Sequence, residues 1–186
     1  MTRVVAALAV LALMLGGCGG DGGDPERAST PPPKSDAAGA EGTGYTLQPP
    51  EGYRDLSDRF EGSAVRVDLA YAEKPRGEFA TNIVVIREQP GGDFDLGDAV
   101  KAFTQQAEAQ AGDEGVSAVE DREIDGVEAK TWAFQSRSED NGRIRQRQVV
   151  AVKDGAIYTI TWSVAADAFE AQEATLDEIL ASWRWT

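Results

Sequence analysis

Three dipeptides that favour tight hairpin turns divide the second half of this chain into segments with the alternating pattern of strands. They are Asp125-Gly126, Asn141-Gly142 and Asp154-Gly155. Asn-Gly and Asp-Gly tolerate the positive φ angles that two-residue hairpin turns require. If each dipeptide forms such a turn, residues 116–163 fold into a meander of four antiparallel strands with a fixed register.

That register assigns each side chain to a face of the sheet. The predicted cross-strand pairs are Asp121 with Lys130, Phe134 with Val149, Trp132 with Ala151, and Ala151 with Tyr158. One face then collects Trp132, Phe134, Tyr158 and Trp162, together with Val149, Ala151 and Ile160. Aromatic residues at strand spacing usually fill a core, but on a face that is left uncovered they would line a pocket for an apolar ligand. Both interpretations stay open at this point.

Two amphipathic helices are available to cover such a sheet. Leu96, Val100, Phe103 and Ala107 form one helical stripe, with Asp95 as the predicted N-cap and Gly112 as the stop. The second helix is predicted to begin at Asp167, because Glu170 lies three residues on, as in a capping box. Its apolar stripe is Phe169, Leu176, Ile179, Leu180 and Trp183.

Two more strands precede the first helix. Val65, Val67, Leu69 and Tyr71 alternate with polar or small residues, and residues 83–86 form a short apolar run that suits a central strand. The opposite face of the meander is also apolar, so both faces need cover. The pattern therefore predicts an α+β fold, an antiparallel sheet covered by helices on both faces (an α/β/α sandwich).

The N-terminus has the features of an export signal. Arg3 is followed by an apolar stretch over residues 4–15, which is too short to span a bilayer. The sequence Leu15-Gly16-Gly17-Cys18 resembles the lipobox of bacterial lipoproteins, which implies cleavage between Gly17 and Cys18 and acylation of Cys18. The alternative is an incidental thiol in an ordinary signal peptide.

Composition then divides the chain into three parts. Residues 1–17 are the predicted signal peptide, and residues 18–44 are a lipidated cysteine with a Gly/Asp/Pro-rich tether. This tether has too little apolar surface to offset the entropy cost of ordering it. Residues 45–186 contain all four tryptophans and have the length of one globular domain, which we expect to be monomeric.

The residue inventory excludes much chemistry. The chain has no histidine and one cysteine, which removes His-based triads, His-ligated zinc and, once Cys18 is acylated, thiol catalysis. The acidic groups Asp93, Asp95 and Asp98 are better explained by helix capping than by a metal site. The net charge of −14 disfavours nucleic-acid binding. We expect no cofactor and no metal.

Three arginines repeat at a spacing of two residues on one predicted strand. Arg143, Arg145 and Arg147 would lie on one face, where guanidinium groups could bind a phosphate or carboxylate. In the alternative interpretation, Arg147 packs against Trp162, its predicted neighbour, and the other two remain in solvent.

The order of these elements resembles a known superfamily. The relevant segments are Tyr45-Thr46-Leu47, Pro50-Glu51-Gly52-Tyr53, the strand at residues 82–86, the mid-chain helix, the meander, and the terminal helix ending Ile179-Leu180-Ala181-Ser182-Trp183. This arrangement is similar to the PsbP-like and DcrB-like superfamily, and within it to the LpqN-type lipoproteins of actinobacteria. The resemblance implies a non-enzymatic α/β/α sandwich at the cell envelope, without catalytic residues.

These inferences define three functional hypotheses. The first is an envelope lipoprotein with a non-catalytic binding or adaptor domain, anchored by lipid to the outer face of the cytoplasmic membrane and bound to an envelope protein. The second is a carrier of a lipid or other apolar ligand on the aromatic face. The third is a hydrolase that uses two carboxylates about 5 to 10 Å apart.

Overall fold

The computed structural model describes residues 39–63, 65–75, 79–92, 94–137 and 142–186. The predicted signal peptide, Cys18, Asp93 and most of the predicted tether lie outside these residues. None of the helices in the described part of the chain has the length and apolar character needed to cross a membrane.

Seven strands form one antiparallel sheet, in the order β3-β4-β5-β9-β8-β7-β6. Their bounds are β3 Arg54–Asp55, β4 Val67–Ala72, β5 Asn82–Glu88, β6 Glu120–Ile124, β7 Val127–Arg137, β8 Arg143–Lys153 and β9 Ala156–Ala165. The apolar run at residues 83–86 lies in β5, between β4 and β9, and is buried. The prediction of a central strand at this position is confirmed.

Two of the three predicted hairpin turns are confirmed. Ile124 pairs with Val127 across Asp125-Gly126, and Lys153 pairs with Ala156 across Asp154-Gly155. All four turn residues have positive φ, as two-residue turns of this kind require. The predicted pairs Asp121 with Lys130 and Ala151 with Tyr158 are also present.

The strand register predicted from the third turn, Asn141-Gly142, is wrong. Arg137 pairs with Arg143, so residues 138–142 separate the strands where a two-residue turn was predicted. Trp132 consequently pairs with Gln148, and Phe134 with Gln146. This register differs by three residues from the predicted one, and a shift by an odd number transfers every side chain of β7 to the other face. The physical reason is burial, because the observed pairing gives each helix its own apolar cluster.

Helix α1 (Leu96–Ala111) and helix α2 (Phe169–Ser182) cover opposite faces of the sheet. Under α1 lie Trp132, Phe134, Val150 and Ile157, and under α2 lie Val149, Ala151, Tyr158, Ile160 and Trp162. The α+β sandwich with helices on both faces is therefore confirmed.

The predicted N-cap is correct for α1 and wrong for α2. The backbone N–H of Asp98 donates to the side chain of Asp95 at 2.8 Å, so the predicted cap is present. At α2 the predicted cap Asp167 is wrong, since the N-cap is Ala168 and makes no side-chain hydrogen bond. The backbone already turns there, because the N–H of Ala168 donates to the carbonyl of Ala165 at 2.9 Å.

A bulge changes the faces of β4. The register shifts between Val67 and Leu69, which leaves Asp68 outside the regular pairing. Val65 and Val67 therefore pack with Ala70 in a third apolar cluster, beside a 3-10 helix at Ser57–Phe60, whereas Leu69 packs on the α2 side. The predicted single face of Val65, Val67, Leu69 and Tyr71 is wrong for this reason.

A second, three-stranded sheet closes the α2 side, in the order β1-β2-β10. Its strands are β1 Ala40–Gly42, β2 Tyr45–Leu47 and β10 Arg184–Trp185. Ala40 is 5% exposed and belongs to the main core. The fold thus begins before Tyr45, and the predicted boundary between tether and domain is too late in the sequence.

Candidate functional site

The four aromatic residues predicted to form one ligand face lie on two faces. Trp132 and Phe134 pack under α1, whereas Tyr158 and Trp162 pack under α2. Their exposed fractions are 1%, 3%, 4% and 0%, respectively. The single aromatic face is therefore a wrong prediction, and its cause is the register of β7 with β8.

On the α2 side, aromatic rings pack directly against one another. The rings of Tyr45 and Trp183 are stacked at 3.9 Å and 6°. Tyr158 meets Tyr45 edge-on at 5.8 Å and Trp185 at 4.9 Å. We call Tyr45, Tyr158, Trp183 and Trp185 the aromatic cluster. Rings at these separations are in contact and fill the space that an apolar ligand would need.

The three arginines of β8 are engaged by other side chains. Arg147 lies opposite Trp162, as predicted, and forms an ion pair with Glu173 of α2 at 2.5 Å. The guanidinium of Arg145 lies 4.4 Å from the centre of the Phe169 ring, so the prediction that it stays in solvent is wrong. Arg143 is exposed and lies 3.6 Å from Glu114. An anion contact at these arginines stays a prediction, and two of their charges already meet carboxylates.

A cleft that the sequence did not reveal opens beside the bulge of β4. Its volume is about 330 Å³. We call it the Thr43 cleft; its polar lining includes Thr43, Ser63, Arg66, Asp68 and Arg87, and its apolar lining includes Phe60, Val65 and Val67. These residues come from three separate segments of the chain, and no spacing in the sequence predicts that they meet.

A chain of hydrogen bonds connects this cleft to the aromatic cluster. Arg87 Nε donates to the hydroxyl of Tyr158 at 3.2 Å, and that hydroxyl donates to the carbonyl of Thr43 at 3.2 Å. The backbone N–H and the hydroxyl of Thr43 donate to the carboxylate of Asp68, at 2.9 and 2.7 Å. The bulge positions Asp68 for this contact.

Tyr45 stays protonated beside this network. Burial raises the pKa of its hydroxyl well above the ordinary value, and the negative charge of Asp68 raises it further. Within the described part of the chain its oxygen forms no hydrogen bond of ordinary geometry, although it lies close enough to Asp68 for the two groups to interact. Tyr45 is therefore a neutral, packed ring, and its hydroxyl does not supply an acid or base near neutral pH.

Buried polar side chains cross the sheet on the α1 side. Gln146 Nε2 donates to Ser163 at 3.0 Å, and Gln148 Nε2 donates to Thr161 at 3.4 Å. Asn82 lies next to Ser163 in the register and is 1% exposed. We call these five residues the polar layer. Such a layer fixes strand register through its hydrogen bonds, and it is a poor wall for an apolar ligand.

Some atoms on this face have unmet hydrogen-bonding capacity. Among the described residues, Asn82 Oδ1, Gln148 Oε1, Thr159 Oγ1 and Trp132 Nε1 have no hydrogen-bond partner. The alternating pattern of the sequence predicts an apolar second face for the sheet, and it does not predict the polar layer. Its signal was present in Gln146 and Gln148 of β8, which share one face of the strand with Ile144 and Val150.

Glu88 provides a test of burial at the end of β5. It is half-buried, and burial raises the pKa of its carboxyl above the ordinary value of 4.5. Because the folded state then binds the proton more tightly, this contribution to stability is present below pH 4.5 and is lost as the pH rises through the folded pKa.

Replacement of Glu88 by Gln should therefore raise the thermal midpoint at pH 7, and this gain should shrink as the pH falls through the folded pKa towards 4.5. Thermal unfolding followed by circular dichroism across this range measures the effect. Glu51→Gln changes the net charge equally at an exposed position and serves as the control. A Glu88→Gln variant less stable than the parent at pH 7 would show that the carboxylate has a stabilising role.

A comparison with models of protein families shows which family the chain belongs to. The model of the DcrB family matches residues 45–182. The chain belongs to the DcrB family. The match covers nearly all of the folded part, so the superfamily resemblance inferred from the sequence is confirmed. A comparison with curated proteins gives no match.

Two solved structures show the same fold as this DcrB family member. Cyanobacterial PsbP (CyanoP) from Synechocystis sp. PCC 6803 is 20% identical, with a TM-score of 0.55 over 77% of this chain and 87% of that chain. LpqN of Mycobacterium tuberculosis, described as involved in cell envelope biogenesis, is 17% identical, with a TM-score of 0.59 over 76% of this chain and 83% of that chain. At these identities the similarity establishes a PsbP-like fold.

No group of three or more His, Cys, Asp or Glu side chains in the described part of the chain could hold a metal ion. The whole sequence contains no histidine. This DcrB family domain has a polar cleft, and two arginines of β8 contact residues of α2. The chain as a whole is acidic.

Proposed function

We propose that this protein is a non-catalytic lipoprotein of the cell envelope, anchored through Cys18, whose folded domain binds an envelope protein. The observation that carries the binding role is the packing of the aromatic residues. Trp132, Trp162 and Trp183 are at most 1% exposed, and the cluster around Tyr45 is in ring-to-ring contact. Large side chains that are fully packed favour a domain that acts through its surface.

The same packing speaks against the alternative role of an apolar carrier. Such a carrier needs a cavity of roughly 300 to 1,000 Å³ with mostly apolar walls. The α2 side is filled by aromatic rings, and the α1 side carries the polar layer. To carry an apolar ligand, the protein would have to open a cavity by separating a helix from the sheet.

The location is supported by the sequence and by one relative. Cys18 follows a short apolar stretch and two glycines, as in the lipobox. LpqN, which shares the fold, is described as involved in cell envelope biogenesis. We infer from these two observations that this domain also works at the envelope, on the outer side of the cytoplasmic membrane.

The surface indicates how a partner would be recognised. Among the described residues, Val119 is the large hydrophobic side chain that is exposed, at 44%. The chain has a net charge of −14. Binding should therefore depend on hydrogen bonds and on charge complementarity with a basic partner surface, and it should weaken as salt is added. In-cell crosslinking followed by identification of the captured protein tests this role.

Replacement of Cys18 by Ser should abolish membrane anchoring. The thioether-linked lipid cannot form without the thiol, and its two or three acyl chains supply the membrane affinity at about 0.8 kcal/mol per buried methylene. We expect unprocessed precursor or released soluble protein in place of the mature membrane-bound form. Membrane fractionation, together with mass determination of the intact protein, measures both.

Ser29→Ala, in the predicted tether, is the matched control and should behave like the parent. If Cys18→Ser protein is processed and retained in the membrane fraction as the parent is, the lipidation part of the proposal is wrong. Crosslinking with the Cys18→Ser variant tests partner binding separately from lipidation, because a soluble domain can still bind its partner in a lysate.

A further inference from the structure

Two arginines line the Thr43 cleft without a carboxylate partner. In the described part of the chain, no carboxylate oxygen lies within ion-pair distance of Arg66 or Arg87, whereas Arg122, Arg143 and Arg147 each have one. Other arginines of the described residues also lack a carboxylate partner, but Arg66 and Arg87 line the same cleft. A pair of unneutralised cations in one concave site favours binding of an anion.

We propose that the Thr43 cleft binds a small organic anion through its phosphate or carboxylate group. This inference goes beyond the proposed function, since the cleft can bind such a ligand whether or not Cys18 carries a lipid. Guanidinium groups suit both kinds of anion, because their planar N–H donors match two oxygens at once.

Arg87 is held in place before any ligand binds. Its Nε donates to the Tyr158 hydroxyl at 3.2 Å, and its guanidinium carbon lies 5.7 Å from the centre of the Tyr158 ring. Tyr158 is 4% exposed and packed in the aromatic cluster. The terminal nitrogens of Arg87 have no acceptor among the described residues, so their donors are available to a ligand.

Asp68 does not neutralise these cations. Its carboxylate accepts two hydrogen bonds from Thr43, and it forms no ion pair with either arginine. The three charged side chains thus contribute two positive charges and one negative charge to the cleft. Asp68 acts as a positioning residue, because it holds Thr43 and therefore the carbonyl that accepts from Tyr158.

The shape of the cleft indicates the rest of the ligand. Its volume of about 330 Å³ lies at the lower end of the range of small-molecule sites. Phe60, Val65 and Val67 add apolar lining beside the arginines. An anion with an attached apolar group should therefore bind more tightly than the bare ion.

Binding to the full-length protein, measured by isothermal titration calorimetry, tests the proposal. The probes are inorganic phosphate, phenyl phosphate and benzoate, each at constant ionic strength. We expect saturable binding of phenyl phosphate, benzoate or both, tighter than binding of inorganic phosphate. Arg87→Gln and Arg66→Gln should each weaken this binding by about tenfold or more, since each removes charge-assisted hydrogen bonds.

Arg54→Gln, an exposed change of equal charge on β3 outside the cleft, is the control and should leave binding unchanged. Arg66 is exposed, so its variant remains informative even if Arg87→Gln fails to fold. Absence of saturable binding to all three probes would overturn the proposal. Equal losses in Arg54→Gln and the two cleft variants would also overturn it, because they would indicate a general charge effect.

Discussion

Replacing Trp162 by Ala should lower the free energy of unfolding by about 3–5 kcal/mol, a large share of the 5–15 kcal/mol typical of a domain. The side chain is 0% exposed and lies 5.3 Å from the Phe169 ring, under α2. Its indole nitrogen has no hydrogen-bond partner in the described part of the chain, so the expected cost is one of packing. Chemical denaturation of the purified protein measures it.

Val119→Ala is the control for this experiment. Its side chain is 44% exposed, and surface changes of this kind usually shift stability by less than about 0.5 kcal/mol. A mild effect of Trp162→Ala, together with an apolar molecule that can be extracted from the native protein, would contradict the packed core. That combined result would favour the carrier role over the adaptor role.

Features encoded by neighbouring residues could be predicted from the sequence. The cap of α1 depends on Asp95 and an amide three residues on, and two hairpins depend on Asp-Gly dipeptides with positive φ. The central strand β5 was predictable because its apolar run needs cover on both faces. In each of these cases the deciding contacts lie within a few residues or follow from burial alone.

The register between β7 and β8 could not be obtained in the same way. Asn141-Gly142 is compatible with a two-residue turn, but also with a longer connection. The choice depends on which pairing buries apolar side chains on both faces, and therefore on α1 and α2, which are distant in sequence. For this reason Trp132 and Phe134 lie on the α1 face and not beside Tyr158 and Trp162, so the predicted ligand face does not form.

The Thr43 cleft was unpredictable for a related reason. Thr43, Asp68 and Arg87 lie far apart in the chain, and they meet through a bulge that no local pattern marks. Arg87 also follows the apolar run at residues 83–86, where a charged residue ordinarily indicates the end of a strand, although it lies within β5. The cleft is a product of tertiary structure, so its ligand chemistry can be tested only through the folded domain.

The N-terminal boundary of the fold gives a second large effect. Gly42 of β1 pairs with Tyr45 of β2, and a Cβ atom at Gly42 would lie 2.2 Å from the Tyr45 ring. That ring cannot move aside, because it is stacked on Trp183 at 3.9 Å and is 0% exposed. Gly42→Ala should therefore destabilise the protein by about 1–3 kcal/mol, as expected for overpacking.

Gly39→Ala is a closely matched control three residues away. A Cβ atom there would lie 3.5 Å from the carbonyl of Leu47, an ordinary contact, so this variant should unfold near the parent midpoint. Thermal and chemical unfolding of both variants measure the difference. If residues 40–44 belonged to a tether, as the composition predicts, both substitutions would be silent. A loss of stability in Gly42→Ala alone requires instead that β1 packs against Tyr45. This short strand then belongs to the packing around the aromatic cluster, and it connects the start of the fold to the Thr43 cleft.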